Sequence, residues 1–155
     1  MRKAAFFTVV LALAVTALAF AQGKPDFSGT WTLDPAKSQM GGGGAPGGGG
    51  RGPAGPITIT QTATELTRRV TGREGQPITL TYKLDGTEST NTMGPTTARS
   101  KASWDGNKLV LKTVRETPNG TVEATDTWSL SADGKELTIH SSTPRGERTM
   151  VYTKQ

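Results

Sequence analysis

The sequence predicts an all-β fold: an up-and-down antiparallel meander that closes into a barrel of about 8–10 strands. Three observations carry this. Segment after segment of the chain alternates apolar and polar residues with period two, and no stretch holds a long 3.6-residue period. Turn residues interrupt these segments at short, regular intervals. The series is opened by a compact aromatic stretch, Pro25-Asp26-Phe27-Ser28-Gly29-Thr30-Trp31-Thr32-Leu33-Asp34, which places Phe27, Trp31 and Leu33 within seven residues. It reads as a first strand, residues 27–34, with Trp31 plugging one end of the barrel and Gly29 letting backbone approach its ring.

Asp34-Pro35-Ala36-Lys37-Ser38 then reads as one short helical turn, with Asp34 as N-cap and Pro35 at the first position. Residues 41–55 are glycine-rich and of low complexity, so they are expected to form a flexible loop that packs no core. A phosphate-cradling loop would need a following Gly-Lys-Ser/Thr and a helix pattern, and neither comes. From Ile57 onward the chain is strand and turn. Ile57 to Gln61, Leu66 to Thr71, Ile78 to Leu84, a weak segment from Thr87 to Asn91, Ala98 to Trp104, Leu109 to Glu116, Thr121 to Leu130, Leu137 to Ser142 and Arg148 to Thr153 are the expected strands. The turns between them fall at Arg73 to Gln76, Asp85-Gly86, Asn91 to Pro95, Asp105 to Asn107, Pro118 to Gly120, Asp133-Gly134 and Pro144 to Gly146. Connections this short make successive strands antiparallel neighbours, and a meander of this length closes rather than leave two raw edges.

The N-terminus reads as a secretory signal. Arg2 and Lys3 precede a run from Ala4 to Ala19 that is apolar but for Thr8 and Thr16, and Ala19-Phe20-Ala21 fits a cleavage site. The run is short for a membrane anchor and no cluster of Lys or Arg directly follows it. The expected organisation is therefore a signal peptide at 1–21, a polar leader at 22–26 and one barrel domain at 27–154, with a periplasmic or secreted address. Cleavage after Ala21 leaves 134 residues, 155 minus 21, enough for one core. The chain has no Cys, which excludes a cysteine-linked lipid anchor and leaves packing to provide the stability. Losing Arg2 and Lys3 lowers the formal charge from +5 to +3, and the remaining basic residues are scattered. No basic stripe marks a nucleic-acid surface, and no second apolar run reaches spanning length.

At this point a resemblance is visible. Gly29-Thr30-Trp31 with Phe27 and Leu33 is similar to the opening Gly-x-Trp motif of the calycins, the lipocalins and fatty-acid-binding proteins. Arg148 to Lys154 is similar to the closing strand of the latter, and Trp104-Asp105-Gly106 resembles a hairpin of the small secreted bacterial lipocalin-like proteins. The resemblance implies a calycin-like barrel that binds a small apolar or amphipathic molecule in its lumen; no cofactor is expected, and the lone His and absent Cys argue against the alternative of an enzyme on the same scaffold. Two departures stand out. The glycine tract occupies the place of the helical lid of fatty-acid-binding proteins. Their carboxylate clamp has Arg and Tyr two apart, whereas Arg148 and Tyr152 are four apart, about 13 Å along a strand, too far to share one carboxylate.

Polar residues that share strand parity with apolar ones are the informative positions. Arg68 goes with Leu66 and Val70, Asp126 with Val122 and Trp128, and Arg148 with Met150 and Tyr152. Charges drawn inward need a partner, which can be an internal Asp126–Arg salt bridge, water at a barrel mouth or a ligand head group. With Tyr82, Trp104 and Trp128 these complete the set of lumen candidates. A cavity of about 300 Å3 or more lined by those three aromatics would mark a binding barrel. A lumen packed solid would mark a filled barrel acting as a non-catalytic interaction or structural module of the cell envelope. His140 is the single His and falls on the polar face of its strand, so neither a metal site nor a Ser-His-Asp triad is expected.

Overall fold

The computed structural model describes residues 23–39, 55–72 and 74–155. The expected signal peptide, Arg73 and all of the glycine tract except Gly55 lie outside them. The described residues form ten strands: β1 Gly29–Leu33, β2 Ile57–Gln61, β3 Glu65–Thr71, β4 Pro77–Lys83, β5 Glu88–Met93, β6 Thr96–Asp105, β7 Lys108–Thr117, β8 Gly120–Leu130, β9 Glu136–Thr143 and β10 Gly146–Lys154. They make one antiparallel sheet in the order β4-β3-β2-β1-β10-β9-β8-β7-β6-β5, curled into a nearly closed barrel. The expected class, strand number and meander are all present. Among the described residues no helix is long and apolar enough to cross a membrane.

The first and last strands pair as a meander with an even number of strands requires. Trp31 lies opposite Lys154, Thr32 opposite Thr153 and Leu33 opposite Tyr152. One end of the barrel, here called the lower end, carries the start of β1, the chain's C-terminus and the turns at 62–64, 84–87 and 131–135. Trp31 is fully buried there, and its indole donates to the Phe27 carbonyl at 2.9 Å. Phe27, Leu66, Leu109, Trp128, Leu137 and Tyr152 complete a solid floor, each wholly buried. The leader crosses beneath it, held by Gln61, whose side chain accepts from the Phe27 amide and donates to the Pro25 carbonyl. Gly29 has a φ of 142°, and a Cβ there would stand 2.8 Å from Lys154 Cε. Its tight neighbour is thus the Lys154 stem, which crosses the Trp31 ring with its ammonium 5.3 Å from the centroid, rather than the ring itself.

Three expectations need correction. Residues 35–37 are a turn and not a helical turn. Asp34 does cap it, its carboxylate accepting from the amides of Ala36 and Lys37, but the next residues leave the helical path because Gln39 bridges to Thr149 on β10. Asn91 belongs to β5 and not to a turn, so the turn there shrinks to Gly94-Pro95. Finally, the short Asp85-Gly86 connection does not produce a backbone ladder. β4 and β5 are the two ends of the sheet order. Side chains join them instead: the Asn91 amide accepts from the Thr81 N–H at 2.8 Å and donates to the Thr81 carbonyl at 3.0 Å, and Ser89 Oγ accepts from the Lys83 N–H at 2.7 Å. Both side chains are buried, so they stand in for the missing strand backbone.

Trp31→Ala should cost on the order of 3–5 kcal/mol as a core deletion, read by denaturant unfolding. Asn91→Ala should cost about 1–3 kcal/mol by stranding the Thr81 amide and carbonyl. Hydrogen exchange should then accelerate first at Thr81 and Lys83, and uniform acceleration over all ten strands would contradict a local seam.

Candidate functional site

The lumen divides into two levels. At and below the height of Trp128 the inward positions are apolar and mostly buried, with Leu33, Trp104 and Leu130 partly exposed at the lower edge. Above it the β6, β7 and β9 wall stays buried at Ala98, Ala102, Leu111 and Ser141, whereas inward apolar positions on the facing strands are only partly buried: Val70 on β3, Ile78 and Leu80 on β4, Val122 and Ala124 on β8. Apolar side chains on the inner face of a barrel stay half-exposed only where the lumen is open to water. The upper half is therefore a mouth on the β3, β4 and β8 side, with Arg68 laid over the buried Trp128 ring at its bottom.

The polar residues of this mouth come from four walls. Arg68 on β3, paired across the ladders with Ile59 and Leu80, reaches over the Trp128 ring with its guanidinium carbon 5.5 Å from the centroid. Tyr82 on β4 meets the same indole edge-on at 6.5 Å. Asp126 on β8 lies opposite Ser141 of β9 and accepts its hydroxyl. Tyr152 on β10 donates to Met150 Sδ at 3.5 Å. Burial pushes both phenols above their ordinary value near 10, and the Arg68 guanidinium opposes that rise in each. Among the described residues three buried donors have no hydrogen-bond partner: Arg68 Nε and Trp128 Nε1 here, and Trp104 Nε1 at the lower end. Among the described residues Arg68 and Asp126 form no ion pair: the ion pairs present, Lys37–Glu136, Arg99–Glu116 and His140–Glu147, involve none of the lumen residues.

The structure thus brings together Arg68, Tyr82, Asp126, Trp128 and Tyr152. It leaves out two candidates. Arg148 lies opposite Ser141, exposed toward the upper rim, away from any shared grip with Tyr152. Trp104 sits at the lower end, stacked on Phe27 at 6.2 Å and under the Lys24 ammonium at 5.3 Å. It lines an open cleft of about 300 Å3 with Lys24, Asp26, Gln61, Thr62, Ala63 and Leu84. That cleft has the expected volume but only one of the three expected aromatics, because Tyr82 and Trp128 face the mouth from the other side of the floor. Two relevant residues were not picked out in the sequence. Arg115 shares parity with Leu109 and Leu111 and so points inward near the upper rim, a signal as plain as that of Arg68. Ser141 has no sequence signal that ties it to Asp126. His140 lies on the outer face as expected, its Nδ1 3.1 Å from Thr149 Oγ1.

The ten-stranded meander with its Trp31 plug is a calycin-like barrel, and comparison with solved structures places it among barrels of that kind. The lipid binding protein LBP-8 of Caenorhabditis elegans matches with a TM-score of 0.62 at 12% identity, over 83% of this chain and 95% of its own. A secretory abundant heat soluble protein from Ramazzottius varieornatus matches with a TM-score of 0.61 at 16% identity, over 85% and 98%. The REP1-NXSQ fatty acid transporter gives 0.60 at 12% identity, over 83% and 95%. No family model and no curated protein matches the sequence.

Both tyrosines of the chain sit in this site. Because their folded-state values lie above the unfolded ones, the folded protein holds these protons longer than the unfolded chain does. Their contribution to stability is complete below the ordinary value and falls as pH rises through the folded values. Absorbance titration should therefore show little phenolate at pH 10 in the folded protein and a sharp rise on unfolding; ordinary titration of either phenol in the folded barrel would contradict its burial.

Proposed function

We propose that the chain is an exported, non-enzymatic barrel that holds a small amphipathic molecule in its upper lumen. The polar end of the ligand rests on Arg68 and Trp128, and its apolar part lies along Leu80, Val70 and Val122. The observation that carries this reading is the pair of buried donors, Arg68 Nε and Trp128 Nε1, that meet no acceptor. Unpartnered buried donors are costly, and a ligand acceptor that reaches either of them offsets that cost. The names of two structural neighbours, a lipid binding protein and a fatty acid transporter, support the same use of the fold. Export rests on Arg2-Lys3, the apolar run to Ala19 and the Ala19-Phe20-Ala21 site.

Mass spectrometry of the protein purified from its native host should find a co-purified amphipathic molecule, displaceable by an environment-sensitive fluorophore that fills the mouth. Arg68→Gln should weaken its retention by about tenfold or more. A ligand-free barrel that takes up no fluorophore would instead support the filled, non-catalytic module. N-terminal sequencing of the exported protein should begin at Gln22, and a mature chain that retains Leu11 to Ala19 would defeat the export reading.

A further inference from the structure

The charges facing the upper lumen are unequal. Ladder parity turns Arg68 of β3, Arg115 of β7 and Arg148 of β10 inward, against a single carboxylate, Asp126 of β8. The other inward polar groups at this height are committed elsewhere: Asn91 and Ser89 to β4, Ser100 to Thr113, and Ser141 to Asp126. None of the three guanidiniums belongs to an ion pair among the described residues. Their fields converge on the two phenols. Arg68 and Arg115 act with Asp126 on Tyr82, and Arg68 and Arg148 act with Asp126 on Tyr152. The upper lumen and its exposed rim together thus present three positive charges, Arg68 inside and Arg115 and Arg148 at the rim, against one negative, a surplus of two. One carboxylate or sulfate head would leave one of these positive charges uncompensated, whereas a doubly charged head would balance the surplus.

We propose that the head group this lumen selects is a dianion of the phosphate monoester type, carried on a short apolar tail. This rests on the ligand-binding reading above and adds the charge class of the ligand. Arg68 would take the oxygen nearest the Trp128 ring, and Arg115 and Arg148, both exposed at the rim, would close on the outer oxygens. Guanidiniums suit this task because their planar forks meet phosphate oxygens two at a time.

The test uses four probes with the same tail, octyl phosphate, octyl sulfate, octanoate and octanol, titrated calorimetrically into the purified protein at pH 8 and pH 5. A phosphate monoester loses its second charge with a pKa near 6. Octyl sulfate is a monoanion at both values, so it reports any change that comes from the protein's own groups. Octyl phosphate should bind roughly tenfold more tightly than octyl sulfate and octanoate at pH 8, and this advantage should shrink to about threefold or less at pH 5. Arg115→Gln and Arg148→Gln remove exposed, unpaired side chains, so the melting temperature should hold. Each should weaken octyl phosphate more than octyl sulfate at pH 8, because the lost positive charge acts on two negative charges in the one and on a single charge in the other, so the phosphate-to-sulfate ratio should erode. Equal binding of octyl phosphate and octyl sulfate at pH 8, an advantage that survives at pH 5, or one that survives in both variants would overturn the dianion assignment while the amphipathic reading stands. Failure of all four probes, octanol included, would overturn both.

Discussion

The pairing of the first strand with the last is the constraint on which the rest of the barrel depends. The chain has no Cys, so nothing covalent ties its ends together. The ladder that sets Trp31 against Lys154 and Leu33 against Tyr152 does that work with backbone hydrogen bonds and one large buried ring. Trp31 is held from three directions. Its N–H is bonded to the Phe27 carbonyl, its ring lies under the Lys154 ammonium, and Ile57 lies opposite it on β2. Because β1 joins β2 on one side and β10 on the other, loss of this strand would split the sheet into β2-β3-β4 and β5-to-β10 pieces. Each piece would expose its half of the floor, so the cost of freeing β1 is the whole core and not one strand.

Closure at β1–β10 moves the discontinuity to β4–β5. A sheet of ten strands must still bring its two outer edges together there, and the sequence of β5, Glu88-Ser89-Thr90-Asn91-Thr92-Met93, is poorly suited to a dry ladder. It presents Ser89 and Asn91 at the inward positions, opposite Ser100 and Ala98 of β6. Those side chains reach across to the Thr81 and Lys83 backbone, which satisfies the edge groups while holding the two strands by three hydrogen bonds rather than a full ladder. Edge strands left unpaired invite association with other chains, and an amide that mimics a strand removes that template without demanding a register. The seam is accordingly the part of the wall in which the fewest bonds separate closed from open.

The fold was legible in the sequence because its signals are redundant. Period-two alternation, turn residues and the Gly29-Thr30-Trp31 opening all point the same way, and no helical pattern competes. Strand parity also located Arg68, Tyr82, Asp126, Trp128 and Tyr152 on the inner face, since a strand offers only two faces. It could not give each side chain's neighbours. Trp104 and Trp128 share inward parity, yet one lines a cleft under the floor and the other lies beneath Arg68 at the bottom of the mouth. They share one cross-strand row through Leu109, so what separates them is what packs on each, a stacked Phe27 and Lys24 on Trp104 and Arg68 and Tyr82 on Trp128, and no local pattern encodes that. The seam was hidden for a different reason. The short Asp85-Gly86 turn promised a hairpin, and only the inward Ser89 and Asn91, read as a pair, contradict it.

Arg68 is where the energetics of the site concentrate. A guanidinium brought among apolar strands loses hydration worth several kcal/mol. Its compensation within the described residues is partial: the Tyr152 hydroxyl beside it, a ring contact at 5.5 Å from Trp128, worth on the order of 0.5–2 kcal/mol, and the field of an Asp126 carboxylate that is already engaged by Ser141. Its Nε is left without an acceptor. An apolar side chain at this position would continue the row formed by Ile59 and Leu80 and extend the packed floor upward. The chain carries the less stable choice in the middle of its own lumen, beside a second unpartnered donor on Trp128. A barrel selected for stability alone gains nothing from that arrangement, whereas a barrel that must orient a guest by its polar end needs donors whose bonds stay unmade until the guest arrives.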